Sequence, residues 1–186
     1  IDTLNLLGSM GVVTSSFGAL VALENRDSLF FPTKGYYFEA KGLFYRKFFG
    51  SDVDFFRGDV DLRYYVSFIK SQVLALNTIF NITLGDVPIQ MMPKLGNYQM
   101  MRGYPMGKHT DKSLWASQAE YRLPLFWKIG ASAFVGIGQV ASEISKFNSN
   151  DIKIAFGYGL RYLLDKAQHL NVRLDIAHSI EGTFVY

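Results

Sequence analysis

The residues that come nearest to a catalytic set in this 186-residue chain lie in the stretch MRGYPMGKHTDKSLW, where His109, Asp111 and Ser113 fall at every second position. A serine activated by a histidine that an acid orients is the chemistry such a trio suggests. The stretch has no glycine-flanked serine elbow, no HExxH pair offers a zinc site, and His169 and His178 sit apart, in or near the last strands. That spacing is commonplace in polar loops, so no catalytic residue is assigned. No cysteine is present, which removes thiolate metal sites and disulfides; neither a metal nor a cofactor is expected.

A second set of charged residues is ordered differently. In FFRGDVDLRYYVSF, Arg57, Asp59, Asp61 and Arg63 share one parity, while Phe56, Val60, Leu62 and Tyr64 share the other. Glu120 and Arg122 in SLWASQAEYRL, Arg161 in IKIAFGYGLRYL, and Arg173 with Asp175 in HLNVRLDIAH likewise fall opposite an apolar parity. Charges of both signs on one face are expected to pair across neighbouring strands, at a few tenths of a kcal/mol or more per pair.

The elements that must carry these residues are strands. A two-residue period over about 9 to 14 residues appears in eight stretches, and side chains that alternate at period two line opposite faces of a β-sheet. Aromatic residues at 16% and 17 glycines against 5 prolines agree with an all-β chain. Connections at 69–71, 125–127 and 165–168 are tight, whereas 48–54, 86–112 and 141–150 are longer. Strands joined in this way form an antiparallel meander with short turns at one end and long loops at the other. A formal net charge of +3, evenly scattered, does not point to nucleic acid.

Alternation fits either a soluble barrel with an apolar interior or a membrane barrel with an apolar exterior. Three features favour the membrane. Strands of about 12 residues, tilted near 45°, cross roughly 28 Å, the apolar thickness of a bilayer. Aromatics gather at strand ends, at Phe30 and Phe31, Phe48 and Phe49, and Phe126 with Trp127, as in an aromatic girdle. No charge sits mid-strand on the apolar parity of the clearest strands, where it would cost about 2 to 4 kcal/mol at the bilayer midplane. Val60, Leu62 and Tyr64 are therefore expected to touch lipid, and Asp59, Asp61 and Arg63 to line a wet lumen.

The long connection LGNYQMMRGYPMGKHTDKSLWASQAEYRLP resembles the bacterial surface antigen domain of the outer-membrane assembly-factor superfamily, the BamA-like barrels. The resemblance carries Arg102, Gly103 and Tyr104 onto that family's Arg-Gly-aromatic motif, on a loop folded back into the lumen. It carries Glu120 onto the acidic residue of the following strand that the arginine meets. ENRDSLFFPTKGYYFEA, with Arg26, Asp27, Pro32 and Gly35, and FVGIGQVA are similar to two further family segments. The resemblance implies a transmembrane β-barrel of the bacterial outer membrane, in contact with its lipids. It also implies action on client outer-membrane or secreted proteins, alongside accessory outer-membrane proteins.

The family's second acidic position falls on Gly136, which leaves Arg102 one expected carboxylate. About eight to ten strands are legible, against sixteen in the family's barrels, so residues 1–186 read as one barrel domain that is incomplete at its N-terminus. A reduced barrel that closes alone stays open as an alternative. So do an accessory or structural barrel without translocation activity and a soluble ligand-binding β-barrel. The latter lacks the early Gly-x-Trp of lipocalins, since both tryptophans, Trp115 and Trp127, come late.

Overall fold

The computed structural model describes residue 7 and residues 11–69, 71–165 and 170–186. The strands are β1 (Ser16–Glu24), β2 (Gly35–Tyr45), β3 (Phe55–Val66), β4 (Val73–Gly85), β5 (Lys94–Leu95), β6 (His109–Thr110), β7 (Ser113–Phe126), β8 (Ile129–Ala141), β9 (Lys153–Asp165), β10 (Leu170–Ser179) and β11 (Gly182–Val185). Nine of them form one antiparallel sheet in the order β1-β2-β3-β4-β7-β8-β9-β10-β11, and β5 and β6 pair separately inside the 86–112 connection. Each large strand is one of the alternating stretches, because only a pleated ribbon puts every second side chain on the same side. The tight turn expected at 165–168 lies, beyond Asp165, outside the described residues.

Burial separates the two faces in the sense expected of a membrane wall. Along β9, Ile154, Phe156, Tyr158 and Leu160 are each more than half exposed, whereas Ala155 is 1% and Arg161 5% exposed. A soluble barrel would show the reverse, since it must bury its apolar parity. The outward face carries the aromatics at the strand ends: Phe48, Phe126 and Trp127 are largely exposed, and Phe17, Phe44 and Phe56 form a contacting row with ring centroids 5.6 and 4.8 Å apart. Phe31 departs from the expected girdle. It turns inward, where the Arg122 guanidinium lies 4.6 Å from its ring centroid.

The inward face is where this molecule keeps its core. Leu95, Met100, Met101 and Tyr104 of the long connection pack against Leu114 and Ala116 of β7 and Ala155 of β9. A second cluster of Tyr45, Val53, Phe55 and Val87 closes the long-loop end, with Tyr45 and Phe55 stacked at 4.1 Å. Burying such side chains stabilises by about 1.5 to 3 kcal/mol each.

Candidate functional site

The connection between β4 and β7 folds back into the lumen because its own polar groups shape the turn. Asn97 accepts from the backbone N–H groups of Gln99 (2.7 Å) and Met100 (2.8 Å), and Gly96 and Gly103 take left-handed φ of +87° and +106°. At Gly96 a Cβ would lie 2.3 Å from the Tyr104 carbonyl oxygen, so only glycine permits this close return of the chain.

The turn delivers Arg102, fully buried, between two strands that are not adjacent. Its Nη2 donates to Glu120 Oε2 on β7 at 2.5 Å, its Nη1 donates to Asp175 Oδ2 on β10 at 2.5 Å, and its guanidinium carbon stands 3.5 Å from the centroid of Phe134 on β8. Arg161 on β9 completes a ring. Its Nη1 donates to Asp175 Oδ1, and its Nη2 lies 3.5 Å from Glu120 Oε1, which also accepts from Arg122 Nε at 2.7 Å. Neighbouring residues of the loop are fastened too: Gly103 N–H donates to Tyr186 Oη (3.0 Å), Ser179 Oγ donates to the Gly103 carbonyl (2.5 Å), and Tyr104 Oη donates to the Ile154 carbonyl (3.1 Å).

Arg102 thus has two carboxylate partners, where the sequence suggested one. The second is Asp175, three strands along the sheet from Glu120. Gly136 cannot supply it, because Met101 of the loop sits over that position, its sulfur 3.0 Å from where a Cβ would be. Space for Asp175 comes from Gly159, whose Cβ would fall 2.0 Å from Asp175 Oδ1. The alternating Gly157 and Gly159 on the polar parity of β9 were the available signal that something packs there.

The remaining lumen charges pair mostly along their own strand. Arg57 Nε meets Asp59 Oδ2 at 2.9 Å, Arg63 Nη2 meets Asp61 Oδ2 at 2.5 Å, and Arg173 Nε stands 3.8 Å from Asp175. At two places the cross-strand register sets like charges opposite one another: Arg173 faces Arg161 and Glu39 faces Asp61, whereas Lys41 faces Asp59. Two charges on β3 also reach across: Asp59 accepts from Asn81 Nδ2 (2.7 Å) and pairs with Lys41 (3.3 Å), and the Arg63 guanidinium stands 5.2 Å from the Tyr37 ring centroid.

A profile of the Omp85 superfamily domain matches residues 8–181. The chain belongs to the Omp85 superfamily. Among solved structures it is similar to BamA from Haemophilus ducreyi lacking POTRA domains 1–3, with a TM-score of 0.73 at 15% identity, over 92% of this chain and 40% of that one. The chain therefore spans less than half of the protein it matches. No curated protein matches it. This Omp85 chain is an antiparallel β-barrel protein of the bacterial outer membrane, and its outward apolar parity faces lipid.

Two further parts of the Omp85 sheet were not read from sequence. The β1–β2 connection, 25–34, crosses the short-turn mouth of the lumen: Arg122 Nη1 donates to the Pro32 carbonyl (3.3 Å), and Ser67 Oγ to the Thr33 carbonyl (3.1 Å). Asp27 staples this loop. Burial works against its ionisation, but hydrogen bonds from the Thr33 hydroxyl and the Thr33 and Lys34 N–H groups prevail and hold its carboxyl below the ordinary range. At the other mouth His109 is hydrogen-bonded to Glu181 on the β10–β11 turn, Nε2 to Oε1 2.8 Å, and not to Ser113. Lys108 pairs with the same carboxylate, and these two hydrogen bonds lower its pKa. Asp111 caps the Lys112 N–H at 2.8 Å.

Proposed function

We propose that this chain forms the C-terminal part of a barrel that inserts or translocates other proteins at the outer membrane, with Arg102, Gly103, Tyr104, Glu120 and Asp175 holding the in-folded loop against the last strands. The observation that carries this reading is the buried tie that Arg102 makes from the in-folded loop to β7 and to β10, the strand that pairs with β11 at Ile176 to Ser179. Parting of β10 from β11 would offer unmade backbone hydrogen bonds at bilayer depth, a template for an incoming strand.

A larger barrel is supported by the likeness to BamA, of which this chain covers 40%. Client outer-membrane or secreted proteins and accessory outer-membrane proteins are the partners this reading requires.

The test is a disulfide between Ile176→Cys and Val185→Cys, which face each other in register. In vesicles holding the protein with all its natural domains, we expect the oxidised pair to stop insertion of a client barrel and reduction to restore it. Insertion at an unchanged rate in the oxidised state would reject an opening between β10 and β11. An accessory barrel would show no insertion in either state.

A further inference from the structure

At the short-turn end of the lumen a cavity of about 460 Å³ opens between the 25–34 connection and the β7–β8 turn. Phe31, Trp127 and Leu163 are among its apolar walls, and Arg122, Arg161 and Lys128 also line it. No acidic side chain does so among the described residues. The volume falls within the range of small-molecule sites.

The charge around it is unbalanced. Arg102, Arg122, Arg161 and Arg173 share two carboxylates, Glu120 and Asp175, so the network carries two more cations than anions. Arg161 is 5% exposed, and its buried Nη2 has no hydrogen-bond partner, the 3.5 Å approach to Glu120 being too poorly placed to make one. That nitrogen is closed to the cavity, so the pull on an oxyanion comes from the unbalanced charge of the arginines and of Lys128, through charge-assisted bonds that are stronger than those to water.

We infer that this cavity binds a single-chain amphiphile with a carboxylate head, its oxyanion between Arg161, Arg122 and Lys128 and its apolar chain along Leu163, Phe31 and Trp127. The cations select the head and the aliphatic and aromatic wall selects the tail. At roughly one water volume, about 30 Å³, per heavy atom, the space holds on the order of ten carbons with the head. The site lies at the periplasmic mouth, the end with short turns, beside the exposed Phe126 and Trp127 that mark the lipid boundary. A fatty-acid-like ligand can reach it from that leaflet. The inference does not depend on the insertion reading, since ligand binding and client insertion are measured separately.

Native mass spectrometry of the full-length protein in non-ionic detergent, titrated with decanoate and separately with decanol, tests the site. We expect decanoate to bind about tenfold more tightly than the neutral alcohol. Arg161→Gln should remove that preference, and Leu163→Trp, which fills the tail space and leaves the ion network in place, should abolish binding of both. Should Arg161→Gln fail to fold, Lys128→Gln on the turn is expected to weaken decanoate binding by about threefold and leave decanol unchanged. Equal binding of decanoate and decanol to the unaltered protein would overturn the proposal. So would decanoate binding that Leu163→Trp leaves intact, or that neither charge variant alters.

Discussion

The two ends of the sheet are stabilised differently. Along β7 to β10 the inner face is filled toward the long-loop end, with Arg102 and Asp175 fully buried, Glu120 nearly so, and a loop occupying the space above alternating glycines. Along β2 most residues are half-buried, and it reaches a buried cluster at its long-loop end through Tyr45. The difference shows where a membrane sheet obtains a core of its own. Its apolar face is satisfied by lipid, so protein–protein burial has to come from the inward, polar face, and here a returning loop supplies it. β7 to β10 should therefore be sensitive to change in the lumen, and β2 less so.

The largest effect is expected from Arg102→Ala, which takes a fully buried cation from Glu120 and Asp175 and leaves them Arg122 and Arg161. Breaking a buried pair in this way costs about 3 to 5 kcal/mol, to be read as a lower urea midpoint in detergent. A double-mutant cycle sharpens the point. Arg102→Ala combined with Asp175→Asn, and separately with Glu120→Gln, should each show coupling, since each acid keeps one further arginine, Arg161 for Asp175 and Arg122 for Glu120; absent coupling would contradict direct pairing. Charge swap between Arg102 and Glu120 should rescue poorly, since the relocated acid would face Asp175.

Next is Leu160→Arg on the outward parity of β9, where a charge should cost about 2 to 4 kcal/mol in bilayers. Gly159→Ala follows, at about 1 to 3 kcal/mol, because the added methyl meets Asp175 Oδ1 and the Leu174 carbonyl. An unchanged melting temperature in that variant would show that the lumen network yields easily.

The smallest effect belongs to the exposed latch. The Glu181 carboxyl titrates below its unfolded value of about 4.3, so its contribution is complete above that pH and disappears as pH falls through the lower, folded value. Glu181→Gln should accordingly raise protease sensitivity of the loop at neutral pH and make no difference in strong acid.

Strand identity was open to reading because period-two alternation is local. FFRGDVDLRYYVSF shows it without knowledge of any neighbour, and β3 spans most of it. The same logic located the long loop by its length and placed Arg102 and Glu120 through a motif. The short β5–β6 pairing within that loop was not legible, since two-residue strands carry no period. Neither was the inward turn of Phe31, which depends on Arg122 about 90 positions away.

By itself the sequence determined which side of each ribbon is apolar, because side-chain parity follows from backbone geometry within a few residues. Only the tertiary structure decided that Asp175, not position 136, completes the arginine's pair of acids. It also decided that like charges stand opposite one another at Arg161 and Arg173, and that a cationic cavity opens beneath them. Those facts depend on how far each strand is shifted against the next and on where a loop comes to rest, and both are set by packing among residues distant in the chain.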